Sequence, residues 1–118
     1  ADELPEVVVI HAHAGLTGAA VERMVGTAAR GVVMAGVGEG NFPEDVRASL
    51  RQMRERGVFV VRASRAEEGL VDREPDDDGN GFVAARALNP QKARLLLQVL
   101  IANEVTDLAA IQRAFDGN

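Results

Sequence analysis

The chain has 118 residues, 47% of them hydrophobic, with a formal net charge of -5 and no cysteine. That length holds one domain with a single core, the acidic balance without a Lys/Arg run argues against nucleic acid as a partner, and the missing cysteines remove thiol catalysis and disulfides. No apolar segment has the length needed to cross a bilayer, so no membrane partner is expected, and the opening ADELPEVV is acidic where a signal peptide is basic. The chain begins almost directly on a predicted strand, as expected of a domain cut from a longer protein.

Val7 to Ile10 is an apolar run without polar alternation, the pattern of a strand buried on both faces, and it continues through His11, Ala12, His13 and Ala14 to a turn at Gly15. Thr17 suits the N-cap of a helix whose apolar positions Ala20, Val21, Met24, Val25 and Ala28 form a one-sided stripe. The central stretch GVVMAGVGEGN, Gly31 to Asn41, is a second buried strand entering a glycine-rich loop. Gly36, Gly38 and Gly40 let the backbone turn tightly there, and Pro43, Glu44 and Asp45 suit the first turn of the helix that follows. That helix has Val46, Leu50 and Met53 on its apolar side, Arg47, Arg51 and Arg54 on the side expected to face solvent, and Gly57 as its stop.

Val58 to Val61 is a third apolar strand leading into Arg62, Ala63, Ser64 and Arg65. The polar, glycine-punctuated stretch from Arg65 to Gly81 reads as a long surface loop, and Phe82 to Leu88 as a short fourth extended segment. Asn89 and Pro90 form a cap and first-turn proline for a helix to about Asn103. Its Ala93, Leu95, Leu96, Leu97, Val99, Leu100 and Ile101 leave so little polar face that it is expected to be largely buried. A last helix begins near Thr106 and packs Leu108, Ile111 and Phe115. Strands alternating with helices predict a three-layer α/β domain: a parallel sheet of about four strands flanked by helices, Rossmann-like without a dinucleotide fingerprint. In such sheets ligands meet the loops at the carboxyl ends of the strands.

Several groupings carry candidate chemistry. The GVGEG loop lacks the third glycine of a dinucleotide fingerprint, and Glu39 would repel a phosphate, yet Arg62 and Arg65 follow the next strand, where a ribose 2′-phosphate is read. A stand-alone nucleotide (NADP-like) or amino-acid binding module is therefore the alternative reading. His11 and His13 would face one side of an extended strand and could share a metal, against the plainer reading of core or interface histidines at the end of a strand. Asp76, Asp78, Asn80 and Gly81 match the start of a calcium loop, but Ala87 occupies the position that requires a bidentate carboxylate. Ser64 and Ser49 lack both an evident base and a nucleophile-elbow setting. No cofactor or resident metal is expected.

The succession AGVGEGN, VFVVRASR, DDDGNGFVAARALNPQKARLLL and IQRAFD resembles the C-terminal domain of bacterial type II L-asparaginases over essentially the whole chain, GFVA followed by LNPQKAR being its most specific part. The resemblance implies an amidohydrolase that converts L-asparagine to L-aspartate and ammonia, assembled as a homotetramer of intimate dimers. In that family the active site lies between the N-terminal domain of one subunit and the C-terminal domain of its neighbour. The nucleophilic threonine and its Thr-Asp-Lys assistants would then lie in an N-terminal catalytic domain absent from this chain, leaving no catalytic residue here. Asn41 and Glu74 occupy the positions that reach across to substrate, with L-glutamine as a further substrate; asparagine rather than serine at position 41 leans toward asparaginase. Departures are Glu39 near the site, His11 and His13 at places that look aromatic in relatives, and Pro75 and Gly79 in the loop after Glu74. The type II resemblance suggests the periplasm or secretion, with the cytoplasm open.

Tyrosine and tryptophan are both absent. The pure protein is expected to be almost transparent at the usual near-ultraviolet protein wavelength; a distinct tyrosine or tryptophan band in its absorption spectrum would signal a contaminant.

Overall fold

Strands β1 (Val7–His11), β2 (Gly31–Ala35), β3 (Phe59–Ala63) and β4 (Phe82–Ala84) pair in chain order β1-β2-β3-β4, every pair parallel. The structure, a computed structural model, describes residues 3–36, 42–64 and 77–117, apart from the side chain of Asp78. Parallel neighbours need a crossover rather than a tight hairpin. Helices α1 (Gly18–Val25) and α2 (Glu44–Glu55) lie in the first two connections, and the short turn of helix α3 (Asp77–Asn80) leads into β4. After β4 come α4 (Pro90–Ala102) and α5 (Leu108–Asp116).

The lack of polar alternation in the strands follows from burial on both sheet faces. Val32, Met34 and Val60 point into a core shared with Val21 and Val25 of α1 and Val46, Leu50 and Met53 of α2. Their strand neighbours Val33, Phe59 and Val61 point the other way, into a core closed by Ala93, Leu97 and Ile101 of α4 and Ile111 and Phe115 of α5. Side chains alternate faces along a strand, so a three-layer arrangement requires apolar residues at consecutive positions. The predicted fold class is therefore the observed one.

Helix starts agree closely with their sequence signals. The side chains of Thr17, Asn89 and Asp107 accept from the amides of Ala20, Lys92 and Ala110 at 3.1, 2.8 and 3.0 Å, satisfying donors that the first helical turn leaves free. α2 has no side-chain cap of its own, and Pro43 precedes rather than begins it. Its first-turn Asp45 instead accepts from the Gly18 amide at 2.8 Å, capping α1 from the neighbouring helix. The same contact is reinforced by the Ser49 hydroxyl, which donates to Glu22 at 2.9 Å.

Some expected faces differ. α1 ends at Val25, where Gly26 takes a positive φ of 67°, so Met24 falls outside the buried stripe and is 47% exposed. In α4, Ala93, Leu97 and Ile101 recur every fourth residue against the sheet, while Leu95 and Val99 on another side of the helix are exposed. That helix is thus half covered rather than largely buried. The arginines of α2 bend back onto the protein: Arg47 lies 5.8 Å from the Phe42 ring centre and Arg54 4.9 Å from that of Phe59, while Arg51 pairs with Glu44 at 2.9 Å. Arg54 also donates to the Val58 carbonyl at 3.2 Å, and partial burial lowers its pKa from the ordinary guanidinium value. Long cationic side chains can cover apolar surface with their stems and keep a polar contact at the tip.

The α1–α2 contact is close enough to exclude a side chain at Gly18, where a Cβ would stand 2.5 Å from the Asp45 carbonyl oxygen and 2.5 Å from the Ser49 hydroxyl. A backbone atom cannot swing aside as a side chain can. Gly18→Ala is expected to lower unfolding free energy by about 1–3 kcal/mol, measured by chemical denaturation, whereas Gly79→Ala, which meets nothing within 4 Å, should be close to neutral.

Candidate functional site

The carboxyl ends of β1, β2 and β3 form one aligned rim. The Ala12 amide donates to the Ala35 carbonyl at 2.9 Å and the Gly36 amide to the Ala63 carbonyl at 2.9 Å, carrying the ladder one step past each strand. Gly36 then takes a φ of 88°, a left-handed conformation that costs a glycine nothing, so the expected sharp exit from β2 is present. Gly38, Glu39, Gly40 and Asn41 lie outside the described residues.

Phe42, the residue after Asn41, is anchored. Phe42 is buried, and its ring meets that of Phe82 edge-on at 6.0 Å between centres, with an interplanar angle of 89°. This is a favoured geometry for aromatic pairs. It ties the chain just beyond the glycine loop to the first residue of β4.

A second anchor is ionic. Arg62, which pairs in register with Met34 of β2 and Ala84 of β4, is only 2% exposed. Its Nε donates to Asp77 Oδ1 at 2.9 Å and its Nη2 to Asp77 Oδ2 at 2.6 Å, and Asp77 is likewise 2% exposed. The planar guanidinium matches the carboxylate fork, the strongest form of charged hydrogen bonding. Glu74 and Arg65 lie outside the described residues; Asp77 follows Glu74 by three positions in the sequence.

These anchors revise several readings. Arg62 does not stand open to receive a ribose phosphate, because its fork is already engaged with Asp77 inside the protein. Asp77 to Asn80 forms a helical turn closed by the Gly81 amide on the Asp77 carbonyl at 2.7 Å, and Asn80 accepts from Arg51 at 3.3 Å. That arrangement differs from a calcium loop, although Asp76 lies outside the described residues. β1 ends at His11, so strand alternation no longer governs His13, whose Nδ1 accepts from the Gly15 amide at 3.2 Å. Among the described residues no group of three His, Asp or Glu is placed to hold a metal. Ser49 is committed to Glu22, and Ser64 is buried at the end of β3.

Sequence reasoning missed the partner of Arg62, yet the signal was present. An arginine inside VFVVRA falls in a fully apolar strand, where an unpaired charge is too costly to leave alone, and the acidic run at 76–78 supplies a partner. It also missed Gln112 of α5, whose amide oxygen accepts from the Ala84 amide at 2.8 Å and whose amide nitrogen donates to the Ala84 carbonyl at 3.0 Å. This covers the outer edge of β4 much as another strand would. Nearby, a cleft of about 370 Å³ runs between that edge and α5, bordered by Phe82, Leu108, Gln112 and Arg113.

A parallel α/β domain with its loops anchored at the strand carboxyl ends belongs to a class that binds small ligands there. Residues 6–115 match the family described as the glutaminase/asparaginase C-terminal domain, and the chain belongs to that family. It is 38% identical over 117 residues to L-asparaginase 2 of Escherichia coli and 38% identical over 117 residues to the probable periplasmic L-asparaginase of Haemophilus influenzae, in each case over 98% of this chain and 33% of the relative. Among solved structures, a probable cytoplasmic L-asparaginase from Campylobacter jejuni superposes with a TM-score of 0.83 at 32% identity, covering 96% of this chain and 35% of that one. The chain thus spans about a third of the length of the relatives it matches, and those relatives include proteins named for either compartment.

Breaking the buried pair from one side leaves an uncompensated charge. Asp77→Ala is expected to cost about 3–5 kcal/mol of folding free energy, seen as a lowered denaturation midpoint in urea.

Proposed function

We propose that this domain serves an L-asparaginase, an amidohydrolase that converts L-asparagine and water to L-aspartate and ammonia, with L-glutamine as a competing substrate. The observation that carries this reading is the family match across residues 6–115 together with 38% identity to L-asparaginase 2 of Escherichia coli. The domain contributes substrate recognition. The nucleophile comes from an N-terminal domain of an adjacent subunit in a homo-oligomer.

Asn41 and Glu74 are the proposed contacts. The substrate is a small zwitterion whose ammonium needs an anionic acceptor, which Glu74 provides as a carboxylate. Asn41 carries both a donor and an acceptor and can hold substrate or a catalytic neighbour in place without adding charge. The anchored Phe42 and Asp77 support this assignment, since each lies close in the chain to one proposed contact. The engaged state of Arg62 weighs against the nucleotide-binding alternative.

A hydrogen bond to a charged group contributes about 1.5–3 kcal/mol, roughly 10- to 150-fold in affinity. Glu74→Ala and Asn41→Ala in the complete enzyme are expected to raise KM for L-asparagine by at least the lower factor, measured by ammonia release under steady-state conditions. The 118-residue chain by itself should release no ammonia above a buffer blank and give no heat on titration with NADPH. Turnover by the isolated chain, or tight NADPH binding, would overturn the proposal.

A further inference from the structure

The outer edge of β4 presents backbone amides and carbonyls at two positions. The Ala85 amide donates across to the Arg62 carbonyl of β3 at 2.8 Å. Alternate residues of a strand direct these groups to opposite edges, so residues 83 and 85 face β3 while Phe82 and Ala84 face outward. At Ala84 the outward pair is met by a carboxamide: the Gln112 side chain accepts from the amide at 2.8 Å and donates to the carbonyl at 3.0 Å. Its nitrogen also donates to Asp116 Oδ1 at 2.9 Å, which fixes which end of the carboxamide meets which backbone group. Phe82 presents the same donor and acceptor about 6.6 Å back along the strand. Neither group has a protein partner among the described residues, although Phe82 is only 4% exposed. Buried backbone groups are nearly always paired.

The cleft of about 370 Å³ opens at this point, and its size is that of a small-ligand site. Gly81, Phe82 and Val83 all border it, yet the Phe82 and Val83 side chains enter opposite cores, so what the three residues share toward the cleft is backbone. The facing wall is α5, with apolar Leu108 and Ala109 beside exposed Arg113. Asp77 and Asp116 also border the cleft, but each is paired, with Arg62 at 2.6 Å and Arg86 at 3.6 Å. Arg113 enters no ion pair among the described residues, so its positive charge stands uncompensated there.

We infer that this cleft binds a short aliphatic primary carboxamide that also carries a carboxylate: the carboxamide pairs with the Phe82 amide and carbonyl as that of Gln112 does with Ala84, and the carboxylate lies on Arg113. A second carboxylate in place of the carboxamide has no hydrogen to donate and leaves the Phe82 carbonyl unpaired, so the site discriminates against diacids. None of these groups depends on the roles given to Asn41 and Glu74.

The test follows the Phe82 amide of the 118-residue chain by proton–nitrogen correlation NMR during titration with succinamate. A saturable shift of that resonance is expected, with a Kd on the order of 1 mM, ordinary for a ligand of so few atoms. Succinate, with a carboxylate at each end, and acetamide, with no charge, should each bind at least about tenfold more weakly. Arg113→Gln, a change at an exposed position, should weaken succinamate by a similar factor, and Ala109→Leu, which fills the cleft from α5, should abolish the shift. A Phe82 resonance that stays fixed, or that drifts in proportion to concentration without a plateau, overturns the site. So does succinate binding as tightly as succinamate, which would mean that the cleft reads charge alone, and so does an unchanged Kd in Arg113→Gln.

Discussion

A guanidinium and a carboxylate, each 2% exposed, are held against each other near the carboxyl end of an inner strand of a parallel sheet. Desolvating two such charges is costly, and only good geometry with further hydrogen bonds offsets it. The geometry here is a two-point fork, and its position in the chain explains its importance. Arg62 belongs to β3, the third strand of the sheet, whereas Asp77 stands at the return of the connection from β3 to β4. The pair therefore ties the start of α3, and through it β4, to β3.

The rest of the architecture supplies a rigid base for that contact. α1 and α2 share one face of the sheet, joined by Asp45 on the Gly18 amide and Ser49 on Glu22. α4 crosses the other face, close enough that a Cβ at Gly31 would lie 2.7 Å from Leu97. The edge strand β4 is short and would expose unpaired backbone, but Gln112 occupies both polar groups of Ala84. Both faces of the sheet and its β4 edge are thus covered.

Family membership and geometry support each other here through different kinds of evidence. The match to the glutaminase/asparaginase C-terminal domain spans nearly the whole chain. The structure adds a buried aromatic edge contact after Asn41 and a buried ionic fork after Glu74. The chain is about a third the length of the relatives it matches.

Much of this was legible from the residue order alone. Consecutive apolar runs such as VVMA can be satisfied only by a strand covered on both sides, and Thr17, Asn89, Pro90 and Gly57 mark helix ends through local hydrogen bonding and backbone freedom. Those effects act within a few residues, so they need no knowledge of the rest of the chain. The position of Asn41 and of the loop with Glu74 after strand ends is read from the pattern of elements, but their proposed role as substrate contacts rests only on resemblance, since nothing in their local spacing distinguishes them from other polar loop residues. What the tertiary structure alone decided were pairings between distant positions: Arg62 with Asp77, Asp45 with the Gly18 amide, Gln112 with Ala84, and the exposure of Met24, Leu95 and Val99 in otherwise apolar helices. Each depends on which surfaces the sheet brings within a few ångströms, and hydrogen bonds and ion pairs form only at that range, however far apart their partners stand in sequence.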